Sequence, residues 1–237
     1  MIHFQNVAIG YNQTLLEVED LTLQNENVFA LVGRNGTGKS TLLRSITGQI
    51  PLLTGKLTID SIPIAGANAS ELSRTVAFVE SKFDGVPYLS VADYLALGRA
   101  PYTNAIGRLS KFDWEVVHII AAEMGLTSFL EKDTSTLSDG ERQLCAIARA
   151  LVQQTPVLLL DEPTAFLDYA NKQLLIDKLL KIASEKNKCI IFSTHDLDLC
   201  IENKVEFLLL NNRQLLSKKC ETKEELITSL EREDANL

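Results

Sequence analysis

Two kinds of apolar spacing occur along the chain, and each predicts a different type of element. Near the start, β-type runs at residues 3–9 and 21–23 and a hairpin-like run at residues 56–64 predict a small antiparallel β region. From about residue 88 to 133 the spacing becomes helical, which predicts a helical lobe with Asp113 capping its main helix.

The rest of the chain alternates between short apolar runs and helical segments. A run at residues 27–32 ends at Gly33 and precedes a predicted helix at residues 39–47. Beyond the helical lobe come predicted strands at residues 157–160, 189–192 and 205–210, separated by predicted helices at residues 170–183 and 197–201. Such alternation predicts a parallel sheet whose ligand-binding loops follow the carboxyl ends of its strands.

Composition and charge narrow the classes of partner. The chain has 237 residues, enough for a full hydrophobic core, and its formal net charge of -8 argues against a broad basic surface for nucleic acid or anionic lipid. It shows no run of about 18 apolar residues and no signal peptide, so we expect a cytoplasmic protein without direct membrane insertion. The four cysteines are widely spaced, which disfavours a zinc or redox site. Because the net charge is negative, any phosphate binding must depend on a local group of residues and not on the overall charge.

One segment has the pattern of a phosphate-binding loop. Residues 33–40, GRNGTGKS, fit G-x-x-x-x-G-K-[ST] completely and lie between a predicted strand and a predicted helix. Glycines let backbone N–H groups turn towards phosphates, and the following helix presents its positive end. We expect Lys39 to reach the β- and γ-phosphates and the Ser40 hydroxyl to bind Mg²⁺. The predicted nucleotide-binding residues here are Gly33, Arg34, Asn35, Gly36, Thr37, Gly38, Lys39, Ser40 and Thr41.

Two carboxylates follow the most apolar of the later strands. Residues 157–160, VLLL, suit a central strand buried on both faces, and Asp161 and Glu162 come at its carboxyl end. Acidic residues after a strand also serve as helix caps. Beside a phosphate loop, however, Asp161 is expected to hold Mg²⁺ directly or through water, and Glu162 to polarise the attacking water.

A phosphate loop and an acidic strand end occur together in GTPases, many ATPases and small-molecule kinases. Residues 137–143, LSDGERQ, resemble the signature motif of ABC ATPases, usually LSGGQ, and precede the two carboxylates as in that family. Residues 165–168, AFLD, look like its D-loop, and residues 193–196, STHD, look like its switch-histidine loop. Tyr11 occupies the place of the aromatic residue that stacks on adenine. The resemblance covers nearly the whole chain and implies that the nucleotide is ATP.

The resemblance also implies how the nucleotide site is completed. In the family, the signature of one subunit contacts the γ-phosphate of ATP held by the other, which assigns that contact to Ser138 and Gly140. A second copy of the chain is therefore an expected partner, in a dimer that encloses two ATP molecules. By spacing alone, Ser138 and Glu141 also form a capping box at a helix start. His195 is expected to contact the γ-phosphate and position water, and Asp168 to contribute to nucleotide binding.

The fold implied by the resemblance is α/β. It comprises a P-loop NTPase core with a mostly parallel sheet, an N-terminal antiparallel β subdomain and an inserted helical subdomain. We expect one ABC ATPase domain over residues 1–237. Within it, residues 1–80 and 145–237 would form the RecA-like core with the antiparallel β region, and residues 81–144 the helical subdomain that carries the signature motif.

The chain departs from the family pattern at two places. The family has a glutamine after a short strand, whereas residues 76–79 are followed here by Glu80 and Ser81. We expect Ser81 to take this place near Mg²⁺, with Glu80 as the alternative. Asp139 replaces the first glycine of the signature, and Glu141 replaces its glutamine. Extra acids near phosphates should weaken ATP-driven closure unless Mg²⁺ or a nearby base compensates.

The helical lobe carries the features that bear on the transported substrate. Residues 95–102, residues 106–110 and Asp113 are similar to ATPases of importers for iron-siderophore complexes, haem and cobalamin. Such a protein would lie on the cytoplasmic face of the membrane, bound to permease subunits that work with a substrate-binding protein. Lys82, Phe83 and Asp84 are the predicted lining of the groove for a permease helix.

Other functions also fit part of the sequence. An ATPase for an importer or exporter of another substrate would share the same motifs. A soluble ABC protein without a permease, serving for example cofactor assembly, belongs to a different class. A P-loop kinase is disfavoured by the signature and by His195.

Overall fold

The computed structural model describes residues 1–103 and 106–231. Residues 104–105 of the predicted helical subdomain and the end of the predicted domain, residues 232–237, lie outside the described residues. The strands are β1 (Ile2–Gly10), β2 (Thr14–Leu23), β3 (Val28–Gly33), β4 (Thr54–Ile59), β5 (Ile62–Pro63), β6 (Val76–Val79), β7 (Val157–Leu160), β8 (Cys189–Ser193), β9 (Glu206–Asn211) and β10 (Gln214–Lys218). The helices are α1 (Lys39–Ile46), α2 (Ala69–Thr75), α3 (Val91–Ala96), α4 (Lys111–Met124), α5 (Asp139–Val152), α6 (Tyr169–Glu185), α7 (Leu197–Glu202) and α8 (Lys223–Glu231).

The strands of the described chain form one continuous mixed sheet, in the order β5-β4-β1-β2-β10-β9-β3-β8-β7-β6. Strands β9, β3, β8, β7 and β6 pair in parallel, which confirms the predicted parallel core. Strands β1, β2, β4 and β5 pair antiparallel, as the N-terminal pattern predicts. The two regions join through β10, which is antiparallel to β9 and meets β2 in one parallel pair, Gln214 with Glu17.

The central strands are buried on both faces, and their alternate residues belong to different cores. In β3, Ala30 and Val32 pack into a cluster that extends into the helical lobe. Phe29 and Leu31 of the same strand pack into a second cluster, which α1 covers. The same division occurs in β7 and β8. Burial on two faces is the physical reason that these strands are continuous apolar runs.

The helical lobe contains α3, α4, the start of α5 and a 3₁₀ segment, Leu97–Tyr102. The main helix, α4, begins one turn earlier than predicted. Its N-cap is Ser110, and Asp113 is the third helical residue of a capping box in which each of the two residues accepts the other's backbone N–H. The predicted cap at Asp113 is therefore wrong, because a Ser-x-x-Asp spacing places both residues at the helix start. None of the helices in the described part combines the length and hydropathy needed to cross a bilayer.

The sheet order brings three loops to one edge. Strands β3, β8 and β7 are neighbours and run in parallel, so the segments after their carboxyl ends lie side by side. These segments are the glycine loop at residues 33–40, the acidic pair at residues 161–162 and the STHD segment at residues 193–196. The strand order therefore places segments that are more than 100 residues apart in the sequence next to each other.

Candidate functional site

The glycine loop has the backbone geometry of an anion cradle. Gly36 and Gly38 have φ angles of 81° and 105°, in the left-handed region that glycine adopts without steric cost. Gly38 is the N-cap of α1 and makes no side-chain cap hydrogen bond, which leaves the N–H groups of the first turn for an anion. A Cβ on Gly33 would come within 2.9 Å of the Leu210 backbone oxygen, so this position requires glycine for a steric reason.

Lys39 lies across this loop and faces two carboxylates. Its Nζ donates to the Gly33 carbonyl oxygen at 2.8 Å and to the Arg34 carbonyl oxygen at 3.4 Å. Burial lowers the pKa of Lys39, and the charges of Glu162 and Asp161 partly offset this effect. The ammonium therefore lies in a partly desolvated place where a phosphate oxygen would be a favourable ligand.

Two hydroxyls and one carboxylate form the oxygen-rich part of the site. Asp161 accepts hydrogen bonds from Ser40 Oγ at 2.8 Å and from Ser193 Oγ at 2.6 Å, one at each carboxylate oxygen. The described residues contain no cluster of three or more His, Cys, Asp or Glu side chains that could hold a metal. One carboxylate with a neighbouring hydroxyl fits Mg²⁺, which takes oxygen ligands and shares its sphere with substrate phosphates and water.

The predicted base and the switch histidine lie next to each other. Glu162 follows β7 in a left-handed conformation, with φ of 47°, and its N–H donates to Ser193 Oγ at 2.8 Å. Its Oε1 lies 3.4 Å from Nε2 of His195, and both side chains are partly open to solvent. Residues held in the left-handed region often mark functional positions. Both the backbone and the side chain of Glu162 therefore contact the segment that carries the histidine.

The phosphate-loop residues surround an open cleft of about 350 Å³. The lining residues are Leu15, Asn35, Gly36, Gly38, Lys39, Ser40, Thr41 and Glu162. Leu15 was not among the predicted residues. It lies against Gly38, since a Cβ on Gly38 would lie 2.8 Å from Leu15 Cδ2. Ser193 was also missed, and its position two residues before His195 was the available signal. Tyr11, in the turn between β1 and β2, is 67% exposed and is not part of the lining, and neither is Ser81.

The signature segment lies elsewhere on the same chain. Ser138 is the N-cap of α5, and Ser138 and Glu141 form the predicted capping box, with Ser138 N–H donating to Glu141 Oε2 at 2.8 Å. This hydrogen bond and that from Ser138 Oγ lower the pKa of the Glu141 carboxyl. Neither Ser138 nor Gly140 lines the phosphate cleft. The fold therefore presents the two halves of the predicted ATP site on separate surfaces of one chain.

A base does compensate the acidic residue in the signature. Asp139 forms an ion pair with Arg142, whose other terminal nitrogen donates to the Leu137 carbonyl oxygen at 2.5 Å. The nearby charge lowers the repulsion that Asp139 would exert on a phosphate, although exposure to solvent screens the pair. The expected weakening of ATP-driven closure by Asp139 is thus reduced by its own neighbour.

Asp168 has a structural contact that its predicted role did not include. It is the N-cap of α6 and accepts from the Asn171 N–H at 2.8 Å. The D-loop also touches the signature helix, since a Cβ on Gly140 would lie 3.1 Å from Leu167 Cδ2. The start of α6 and the start of α5 are therefore neighbours on the surface.

A second, larger depression of about 460 Å³ lies between the sheet and the helical lobe. Lys82 and Phe83 line it as predicted, together with Glu80, Tyr94 and Arg149 among others. We call this depression the interlobe groove. The rings of Phe83 and Tyr94 stack with centroids 4.2 Å apart and planes at 9°. Asp84 is not part of the lining, but it pairs with Lys82 at 2.6 Å. Glu80 pairs with Arg44 of α1 at 3.5 Å, which links the groove to the phosphate-loop helix.

The segment that resembles chelate importers has a structural role in this fold. Arg99 is buried and donates from Nε to Asp113 Oδ1 at 2.8 Å and from Nη1 to the Val152 carbonyl oxygen at 3.0 Å. Its guanidinium lies 4.0 Å from the centre of the Tyr102 ring. These contacts fix the helical lobe to the end of α5. Arg99 and Asp113 therefore stabilise the lobe from within.

Two family profiles match the chain, and one of them covers more than half of it. The family profile described as "ABC transporter" matches residues 16–165. A profile described as an AAA domain, AbiEii toxin of a type IV toxin–antitoxin system, matches the shorter range 133–202.

Relatives cover nearly the whole chain. An uncharacterized ABC transporter ATP-binding protein of Methanocaldococcus jannaschii is 34% identical over 218 residues, which is 92% of this chain and 75% of that protein. The petrobactin import ATP-binding protein of Bacillus anthracis is 29% identical over 216 residues, 90% of this chain and 79% of that protein. Among solved structures, a metal-chelate type ABC transporter in an inward-facing conformation matches with a TM-score of 0.81 and 27% identity, covering 97% of this chain and 88% of that one.

Proposed function

This chain belongs to the ABC transporter ATP-binding family, whose members bind and hydrolyse ATP, and from that premise we propose that it powers a metal-chelate importer. ATP hydrolysis by this chain is supported by the convergence of five side chains at the carboxyl edge of the parallel strands, namely Lys39, Ser40, Asp161, Glu162 and His195. The M. jannaschii relative carries the family name without a substrate, so the substrate class rests on other support.

The residues of the cleft divide the chemistry among them. Phosphate-loop N–H groups and Lys39 would bind the β- and γ-phosphates, and Ser40 with Asp161 would hold Mg²⁺, which would neutralise charge on phosphate oxygens. Glu162 accepts a proton from the attacking water. His195 lies 3.4 Å from Glu162 and orients the water and the γ-phosphate. Ser193 fixes the relative position of Asp161 and Glu162, since it bonds both.

A second copy of the chain completes the site. Ser138 and Gly140 are outside the phosphate cleft of their own chain, and the N-terminal end of α5 beside them favours an anion. A partner's signature placed over the cleft would supply donors to the γ-phosphate, as the family resemblance implies. Tyr11 is exposed and so available to stack on adenine, and Asp168 is exposed at the start of α6, on the surface that would meet the partner. Ser81 remains a proposed Mg²⁺-shell residue that acts through water.

The interlobe groove is the proposed seat of a permease helix. Its stacked Phe83 and Tyr94 offer an apolar wall, and the Glu80–Arg44 pair joins it to the phosphate-loop helix. A substrate-binding protein would deliver the chelate to the permease outside, with this chain on the cytoplasmic face. The chelate class is supported by the relative named for petrobactin import and by the metal-chelate type transporter of similar fold.

Co-purification tests the assignment to a transporter. Tagged full-length chain, extracted from membranes with mild detergent, should bring down a polytopic membrane protein. Phe83→Arg in the groove should abolish this association, whereas Ile119→Arg, an equally drastic change on the exposed face of α4, should keep it. ATP binding should persist in both variants. A native complex that lacks any membrane subunit would instead favour a soluble ABC ATPase without a permease.

The transported substrate is tested separately. Uptake of an iron-siderophore complex, haem or cobalamin by cells should require an active chain, so Glu162→Gln should abolish uptake of one of them. Uptake of all three that proceeds unchanged in the Glu162→Gln strain would contradict the chelate assignment. Such a result would not contradict the assignment of the chain to the ABC transporter ATP-binding family.

A further inference from the structure

A partly buried hydrogen-bond network lies beside the proposed catalytic pair, and neither Thr164 nor Lys172 belongs to a motif named above. Asp196, directly after His195, accepts from Thr164 Oγ1 at 2.6 Å and from Lys172 Nζ at 2.8 Å. The Asp196 N–H donates to Thr194 Oγ1, within its own loop, at 3.0 Å. Thr164 is buried, and the side chains of Lys172 and Asp196 are 23% and 30% exposed. We call these three residues the Asp196 clamp.

The clamp joins the three segments on which the chemistry depends. Thr164 is two residues beyond Glu162, and Asp196 is one residue beyond His195. Lys172 is in the first turns of α6, and its N–H bonds back to the carbonyl oxygen of Asp168 at 2.9 Å. The base loop, the histidine loop and the helix that starts at the D-loop are therefore held together through one carboxylate.

The contacts of Asp196 are strong enough to fix a loop. Each carboxylate oxygen has its own donor, and one donor is a charged ammonium, so the contact is a charge-assisted hydrogen bond. The hydrogen bonds from Lys172 and Thr164 lower the pKa of Asp196 against the opposing effect of its burial. Partial shielding from solvent makes such a pair worth more than a fully exposed one.

We propose that Lys172 is a positioning residue for hydrolysis: through Asp196 it fixes the His195 loop to the start of α6, and so holds His195 against Glu162. This inference rests on the proposed roles of Glu162 and His195. Lys172 is not part of the lining of the phosphate cleft, so its effect would be indirect.

The test compares ATP turnover and ATP binding in variants of the purified full-length chain. Lys172→Met should lower kcat about 10- to 100-fold, the scale on which misplacement of a catalytic group acts. The Kd for a fluorescent ATP analogue should change by less than about twofold, because the phosphate cradle is untouched. Lys172→Arg, which keeps the charge, should restore most of the lost kcat. Lys181→Met on the exposed face of the same helix is the matched control and should behave as wild type.

Double variants separate positioning from a general structural effect. Lys172→Met should cause no further loss of kcat in a His195→Ala background, measured in single turnovers with enzyme in excess. Lys172→Met and Asp196→Asn should likewise not be additive, since both break the same contact. A multiplicative loss in either pair, or wild-type kcat in Lys172→Met, would overturn the inference.

The proposed function and this inference fail differently. If Glu162→Gln turns over ATP at the wild-type rate, the assignment of the base is wrong, whatever Lys172 does. If Glu162→Gln is inactive while Lys172→Met is fully active, only the role of the Asp196 clamp is refuted. A parallel fall of Tm and kcat in Lys172→Met that Lys172→Arg does not reverse would show a structural role instead and would also refute it.

Discussion

Removing the buried guanidinium of Arg99 should destabilise the whole domain. The side chains of Arg99 and Asp113 are 3% and 8% exposed, so Arg99→Met leaves the Asp113 carboxylate without its buried countercharge. The change also removes the donor that reaches the Val152 carbonyl oxygen and the Gln154 Oε1 at 2.8 Å. It therefore breaks one ion pair and removes the donor from one buried acceptor and one partly buried acceptor.

The magnitude follows from the surroundings of Asp113. Removing one partner of a buried ion pair costs about 3–5 kcal/mol. Asp113 keeps two hydrogen bonds, from the N–H of Ser110 at 2.8 Å and from its Oγ at 2.6 Å, so the lower end of that range applies. A loss of about 3 kcal/mol in a chain of this size corresponds to a fall in Tm of about 6–12 °C.

Urea unfolding of the full-length chain, followed by circular dichroism, measures the free energy of unfolding directly. Arg99→Met/Asp113→Asn, which removes both charges, should recover part of the stability lost in Arg99→Met. Lys181→Met, at an exposed pair, should stay within about 0.5 kcal/mol of wild type. A loss below about 1 kcal/mol for Arg99→Met, or a double variant that is no more stable than Arg99→Met, would refute the reasoning.

Further outcomes follow from the same structure. Lys39→Ala should abolish binding of a fluorescent ATP analogue, and retained binding would remove Lys39 from the cradle. Glu162→Gln should bind ATP and form a dimer in light scattering, with kcat lowered about 100-fold or more; an active variant would exclude Glu162 as the base. Asp139→Gly should raise the apparent affinity for ATP. The increase should be small, because Arg142 already offsets part of the Asp139 charge, and unchanged or weaker binding would contradict this. The hydrogen bonds from Ser110 lower the pKa of Asp113, with Arg99 adding to the effect. Its stabilisation is therefore complete above about pH 4 and is lost as pH falls through the folded pKa, so the stability gap to Asp113→Asn should narrow in acid.

Local patterns in the sequence were sufficient for the elements that carry the phosphate chemistry. The loop at residues 33–40 depends on glycine conformations and on the helix that follows, both of which are local properties. The strand β7 was predicted from an uninterrupted apolar run, because burial on both faces leaves no polar position. The capping box of Ser138 and Glu141 spans one helical turn and was predictable for the same reason.

Local patterns were insufficient where two residues of one helical turn could both serve as the N-cap. Ser110 and Asp113 are both good caps, and spacing alone did not show which of them begins α4. The buried partner of Asp113, Arg99, lies in a separate segment, and the acceptor of Arg99 at Val152 lies at the end of another helix. Packing of the lobe decided these contacts.

The sequence by itself determined the glycine loop, the buried strand β7 and the capped start of α5, since glycine conformation, strand burial and helix ends act over a few residues. Only the tertiary structure decided that Ser193 bonds both Asp161 and Glu162, that Leu15 lines the cleft and that Lys172 reaches Asp196. These contacts join segments that are distant along the chain. The contacts of Ser193 and Asp196 exist because β7 and β8 are parallel neighbours whose carboxyl ends meet at one edge, whereas Leu15 reaches the cleft from the start of β2. No local pattern encodes this packing.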